Sequence, residues 1–417
     1  MLPYGRETVA CAIPDSRFSG EYNSGLHSWK PEKSQTELVM DALANPHGRR
    51  LGELAAGKKK ITIIASDHTR PVPSKIIIPP MLDEIRKSSS AEITILVATG
   101  CHRQTSKDEL IEKFGPEIFR NEKITVHDCD SPDMANLGKL PSGGDLILNR
   151  LAVETDLLIS EGFIEPHFFA GFSGGPKSVL PGVAGRNTVL YNHNAGFIAH
   201  PCSRTGVTEG NPVQTDMVYA AKKAGLSFIC NVVLNNAKET VFAAAGAFET
   251  AHNAGIKFLT DKCGIKPVLS DIVITTNGGH PLDRNIYQAV KGMTAAESAV
   301  RKNGVIIMLA KSGDGHGAPE FYKTFLEEKN LDRMLRTFEK TPSEATRIDQ
   351  WQSQIFARVL KHAKVIYVSE APDEMIRGFQ MIPARTVAEA VKTADEILGN
   401  PDAKIAVIPD GVSVVVN

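Results

Sequence analysis

Eight short apolar, β-rich runs recur along this 417-residue chain, with helical patterns between them. They are Ile61–Ala65, Ile93–Ala98, Leu157–Ser160, Phe228–Leu234, Ile272–Thr276, Val305–Ala310, Val365–Ser369 and Ile405–Ile408. Short strands alternating with helices are the signature of α/β units that pair mainly in parallel. Ser106-x-x-Glu109 and Thr294-x-x-Glu297 both read as capping boxes that open helices. Val213–Ala224 and Thr386–Leu398 carry apolar residues at helical spacing and stop at Gly225 and Gly399. The expected class is α/β: two α/β domains with mainly parallel sheets and an active-site cleft between them. A break near residues 262–270, KCGIKPVLSD, divides the chain into 1–266 and 267–417. The tail IAVIPDGVSVVVN could pair in either half.

Composition narrows the function by exclusion. A formal net charge of −1 leaves no electrostatic footprint for nucleic acid or an anionic membrane. No apolar run approaches the roughly 20 residues of a membrane helix. The start, MLPYGRETVACAIPD, lacks the basic and apolar stretches of a signal peptide. Six cysteines are scattered singly with no C-x-x-C, which argues against a disulfide framework or structural zinc and fits the cytoplasm. Cys101, beside His102, reads either as an activated thiol or as a small buried residue at a strand end.

In open α/β sheets, ligands bind beyond the carboxyl ends of the strands. The first run is followed by Asp67, His68, Thr69 and Arg70, and the second by His102 and Arg103. The third leads into EGFIEPHFFAGFSGGPKS, with His167 and Lys177, and His193 lies sixteen residues past the lysine. In the other half, Ile272–Thr276 precedes His280, Tyr287, Gln288 and Lys291, and Val305–Ala310 precedes the glycine-rich KSGDGHG. Each residue also has an ordinary reading. Arg70 is a surface ion pair or a fork for a carboxylate or phosphate. His102 and His167 are structural caps or a pair of bases. Gln288 and Lys291 share a helix face that is either solvated or functional. His316 is loop material with no clear partner, and His27, His47, His127, His252 and His362 read as surface or packing residues. No G-x-G-x-x-G follows a strand, so a dissociable NAD site lacks its fingerprint. GFSGGPKS fails as a phosphate loop because Pro176 stands where glycine must precede the lysine, and no H-E-x-x-H occurs.

DHTRP (67–71), TGCHR (99–103), EPHFFAGFSGGPKSVLPG (165–182), NHN (192–194) and YQAVKG (287–292), with Trp351 further on, together resemble the lactate racemase family. Its members are nickel-dependent racemases and epimerases of 2-hydroxy acids. The resemblance spans most of the chain in order, and the 165–182 block with His193 is its most specific part. It implies a nickel-pincer nucleotide, a pyridinium mononucleotide whose two thio-acid arms grip nickel, attached covalently at Lys177. His193 would complete the nickel coordination, and Gly174, Gly175 and Asp67 would support the cofactor, the glycine amides suiting its phosphate. His102 and His167 would be the paired acid/base residues. Arg70, Gln288 and Lys291 would grip the substrate, with Tyr287 and Trp351 lining the pocket. The implied reaction inverts C2 by reversible hydride transfer through a 2-keto acid, because the α-hydrogen is a poor acid and cofactors carry such hard steps. The 1–266 half would hold the cofactor. Implied partners are a small 2-hydroxy acid and the enzymes that make the cofactor, and a homo-oligomer is compatible with this reading. Pro176 stands before Lys177 where a basic or variable residue is expected, and His68, within DHTRP, adds a titratable group beside the implied carboxylate clamp. Alternatives are a C2 epimerase of a sugar acid, a non-catalytic metabolite-binding relative, and a zinc hydrolase built on His102, His167 and His193.

Overall fold

Strand Leu157–Phe163 is buried at all seven of its positions. A parallel strand covered by helices on both faces requires this. In the computed structural model, which describes residues 1–416, that strand lies inside a six-stranded sheet. The order across it is Thr240–Gly246, Leu226–Leu234, Leu157–Phe163, Lys60–Ser66, Glu92–Ala98 and Lys123–Val126. Every pairing is parallel except Thr240–Gly246, which runs antiparallel to Leu226–Leu234 at the edge. Ile63, Ile95, Ile159 and Phe228 meet helical residues such as Ile77 and Met81 in one core.

A second six-stranded sheet is parallel throughout. Its order is Ile382–Ala384, Lys364–Val368, Val300–Leu309, Ser270–Thr276, Ile405–Ile408 and Phe18–Glu21. All eight runs read from the sequence are strands of these two sheets. The tail pairs with the second sheet's own unit: Ile405–Ile408 joins the sheet and Val415–Val416 pairs with Gly264–Ile265.

Each sheet belongs to its own compact unit, and both units are discontinuous in sequence. The first unit comprises Leu26–His193 and Cys202–Asp261. The second comprises Met1–Gly25, Asn194–Pro201 and the chain from Lys262 onward. No described helix is long and apolar enough to cross a membrane.

The helix ends follow their local chemistry. Ser106 and Glu109 form the expected capping box at Lys107–Phe114. Asn211 caps Pro212–Ala224, which ends at Gly225 in the left-handed region, φ +75°. Thr386 caps Val387–Leu398, which ends at Gly399, φ +59°. The Thr294 box is a correction. Thr294 lies near the end of Ile286–Glu297, not before it, and its hydroxyl donates to the Lys291 carbonyl. The cap of that helix is Asn285, whose side chain accepts from the Gln288 amide. His316 is a second correction: its ring stacks on Tyr322 (centroids 5.2 Å, 15°), and its carbonyl accepts from the Tyr287 amide.

Candidate active site

Three adjacent strands of the first sheet, Leu157–Phe163, Lys60–Ser66 and Glu92–Ala98, end side by side. The loops that follow them carry Asp67, His102 and His167 at the carboxyl edge, where ligands of open α/β sheets bind. Asp67 is 1% exposed, and its Oδ2 lies 2.7 Å from Nδ1 of His102. Its other oxygen accepts from the Thr69 hydroxyl at 2.7 Å and the Thr69 amide at 3.1 Å. Burial pushes the Asp67 carboxyl up, but the His102 hydrogen bond and charge, Thr69 and the Arg70 charge outweigh it and leave it below its ordinary value. An ionised carboxylate accepts only, so Nδ1 of His102 carries a proton, and in the neutral form of the ring Nε2 is the nitrogen with the lone pair.

Arg70 is exposed, and the backbone of its loop is held from beneath by Lys113, whose ammonium donates to the carbonyls of Arg70 (3.3 Å) and Val72 (3.5 Å). Burial lowers the Lys113 pKa. The buried Glu161 accepts from the Ser66 amide (2.9 Å), the Ser66 hydroxyl (3.1 Å) and the Ser74 hydroxyl (3.1 Å), fixing the strand end before Asp67. His68 lies 3.0 Å from the Thr105 hydroxyl. Arg103 forks onto Glu109, with one bond at 2.9 Å, and so serves the helix start. Burial, with the neighbouring Cys129 sulfur, pushes the Cys101 thiol up to about 12, which removes the activated-thiol reading.

His167 stands in a two-residue strand paired to Gly171–Phe172. Its Nδ1 accepts from the Ala170 amide at 3.3 Å, and its ring meets Phe169 edge-on (4.6 Å, 87°). Phe169 also meets His193 edge-on (5.1 Å, 78°), so one aromatic ring separates the two imidazoles. His193 ends the helix Arg186–Asn192. Burial, and then the charge of Lys177, pull its pKa down to about 3. A neutral, buried imidazole is the form that ligates a metal.

Lys177 lies on the 3₁₀ turn Gly175–Ser178. Gly174 and Gly175 have φ +75° and +51°, where a side chain is disfavoured. A Cβ on Gly174 would lie 2.8 Å from both Asn231 Oδ1 and the Phe163 carbonyl, and one on Gly175 would lie 2.5 Å from the His252 ring. Asn231 Oδ1 accepts from the Gly175 amide at 2.7 Å, while its Nδ2 is buried with no hydrogen-bond partner. His252 and the Ser173 carbonyl are 2.8 Å apart. Gly175→Ala is therefore expected to cost about 2–3 kcal/mol, as overpacking and left-handed strain combine. A fall in the thermal midpoint checks it; an unchanged midpoint means the turn can move away.

The remaining predicted residues belong to the second unit. Tyr287, Gln288 and Lys291 stand on Ile286–Glu297, and Trp351 on Gln350–His362. Asn277, after strand Ser270–Thr276, donates to the Gln288 carbonyl at 2.7 Å. Gln288 Oε1 is buried without a hydrogen-bond partner. Tyr287 donates to Asp349 at 2.8 Å. His280 is engaged elsewhere, 3.0 Å from Arg6. Sequence reasoning passed over Lys113, Glu161, Asn231, His252 and Asp349. Glu161 and Asn231 had a signal, being polar residues inside the apolar strands LLISEGF and LSFICNVVL.

Residues 4–206 match the family model of the lactate racemase N-terminal domain, and residues 265–416 that of the C-terminal domain. The chain belongs to the lactate racemase family. Family membership makes it an isomerase. It is 50% identical to a lactate racemase of Thermoanaerobacterium thermosaccharolyticum, covering 100% of this chain and 98% of that one. A lactate racemase of Lactiplantibacillus plantarum is 47% identical, with 100% and 99% covered. Among solved structures, the lactate racemase apoprotein from T. thermosaccharolyticum superposes with a TM-score of 0.96 at 49% identity, covering 100% and 99% of the two chains. A Thermotoga maritima protein at 20% identity and TM-score 0.63, covering 92% and 98%, shares the fold.

Proposed function

We propose that this family member racemises lactate with a nickel-pincer nucleotide tethered at Lys177. The observation that carries the proposal is the Asp67–His102 pair, a base with its tautomer set, in the same unit as a lysine turn beside a buried neutral imidazole. The residues fit the implied group. Lys177 offers an amine for attachment, His193 a nitrogen ligand, and Asn231 a buried donor with no hydrogen-bond partner beside the Gly174–Gly175 backbone. When bound, such a group supplies the hydride acceptor for C2, so the substrate can pass through a 2-keto acid.

The chain's own residues supply the rest. His102 takes the hydroxyl proton at Nε2, and Asp67 stabilises the imidazolium that forms. His167 serves the opposite hand of the substrate. Arg70 in the first unit and Lys291 in the second each carry a charge suited to a carboxylate, and Gln288 and Trp351 are further candidates for substrate contact in the second unit. A C2 epimerase of a sugar acid would use the same residues.

The test is chiral separation after incubating cofactor-loaded protein with each pure enantiomer of lactate, alongside a panel of sugar acids. Both lactates are expected to converge on an equal mixture. Loaded protein that leaves lactate untouched but epimerises a sugar acid would replace lactate in this reading.

A further inference from the structure

Strand Ser270–Thr276 ends against the helix Ile286–Glu297, which carries Gln288 and Lys291. The strand end is itself fixed, because the Thr275 and Thr276 hydroxyls donate to the carbonyls of Ile408 and Pro409 at 3.0 and 2.5 Å. Asn277 follows, 1% exposed. Both hydrogens of its Nδ2 are spent on backbone, on the Leu282 and Gln288 carbonyls at 2.7 Å each, and its Oδ1 accepts from the Gly292 amide at 3.0 Å. In an α-helix, the carbonyl of residue 288 and the amide of residue 292 are the two ends of one i→i+4 bond. Asn277 therefore docks on both ends of a single rung, and the turn this rung closes contains Gln288 and Lys291. Such an approach requires glycine at 292, where a Cβ would lie 2.5 Å from Asn277 Oδ1 and 2.8 Å from the Thr276 carbonyl. The two backbone groups could satisfy each other in an ordinary rung, so the contact acts chiefly on where the turn sits.

We infer that Asn277 is a positioning residue for the substrate grip, fixing the height and rotation of the turn Gln288–Lys291 against its own sheet. Residues three apart share a helix face, so one rung sets the direction of both side chains together. A side chain that bonds into the helical ladder bends or shifts the helix locally. Asn277 takes no proton in the reaction; that work stays with His102 and His167. This role rests on the racemase reading, which gives Gln288 and Lys291 to the substrate.

The test compares cofactor-loaded wild type, Asn277→Ala, Gly292→Ala, Lys291→Ala and the double variant Asn277→Ala/Lys291→Ala, on whichever acid of the panel the wild type inverts. A wild type inactive on every acid would sink the racemase reading, and this role with it. With an active wild type, the role stands or falls alone. Asn277→Ala is expected to raise KM about tenfold, with kcat within about threefold and nickel per chain unchanged, the pattern of lost binding. Gly292→Ala reaches the same contact from the helix side, its methyl pushing the turn off Asn277, and should raise KM alike. It decides the matter where Asn277→Ala does not fold. Ile307→Val, in the core beside the same sheet, controls for stability: its thermal midpoint should fall by about 2–5 °C with KM at the wild-type value. Because Asn277 acts through the turn, adding Asn277→Ala to Lys291→Ala should raise KM by no more than about threefold beyond Lys291→Ala alone. Three results would overturn the inference. The first is a wild-type KM in folded Asn277→Ala, or in Gly292→Ala where Asn277→Ala does not fold. The others are the full rise added on top of Lys291→Ala, and an equal rise in Ile307→Val.

Discussion

Lys177→Ala is expected to abolish racemisation, by at least about 10³-fold in kcat/KM, because no other side chain can substitute for the proposed covalent tether. The fold should survive. Lys177 is half-buried on a short turn whose backbone is fixed by Asn231 and His252. Its thermal midpoint should therefore stay within a few degrees of wild type, as for replacements outside the core. Lys177→Arg separates two explanations. Arginine keeps the charge beside His193 but cannot form the lysine linkage. Loss of activity and of the added peptide mass in both variants supports the tether. Full activity in Lys177→Arg would leave the lysine a purely electrostatic role and remove the covalent attachment.

Asp67→Asn is expected to lower kcat by roughly 10²–10³-fold, with a smaller change in KM, through tautomer control of the kind known for carboxylate–histidine pairs. The buried amide cannot stabilise an imidazolium, and its NH₂ group favours the tautomer that presents Nε2–H to the substrate. The same pair predicts a pH dependence. The Asp67 pKa in the fold lies below its unfolded value, so its stabilisation is complete above about pH 4. It is lost as the pH falls through the lower folded value. The stability gap between wild type and Asp67→Asn should therefore be flat near neutrality and close only in strong acid. A gap that closes near pH 6 would mean that another group controls His102.

The strands were legible because seven-residue segments such as Leu157–Phe163 are apolar at most positions, and burial on two faces leaves no competing pattern. The carboxyl ends of Pro212–Ala224 and Val387–Leu398 were legible because glycine acts locally there. Thr294-x-x-Glu297 misled because a threonine hydroxyl can bond back into its own helix as readily as cap the next one. Phe18–Glu21 was invisible because it has no helix neighbour in sequence and pairs with a strand at the other end of the chain. Motif and strand-end position brought out His102, His167, Lys177 and His193. What holds them was not readable, because Asp67 meets His102 and Asn231 meets Gly175 only after parallel strands are set side by side. His252 had been left as a surface or packing residue, and its ring lies directly under the lysine turn.

The pairing of Phe18–Glu21 with Ile405–Ile408 has a consequence for a chain still on the ribosome. At about 5–20 residues per second, the early strand waits roughly 20–80 s for its partner to be made. During that interval the unit containing Leu26–His193 can assemble, while Phe18–Glu21 is left without its sheet partner. Such an edge can recruit the wrong strand until Ile405–Ile408 arrives. Synthesis of Ile405–Ile408 therefore sets the earliest moment at which the second sheet can be complete.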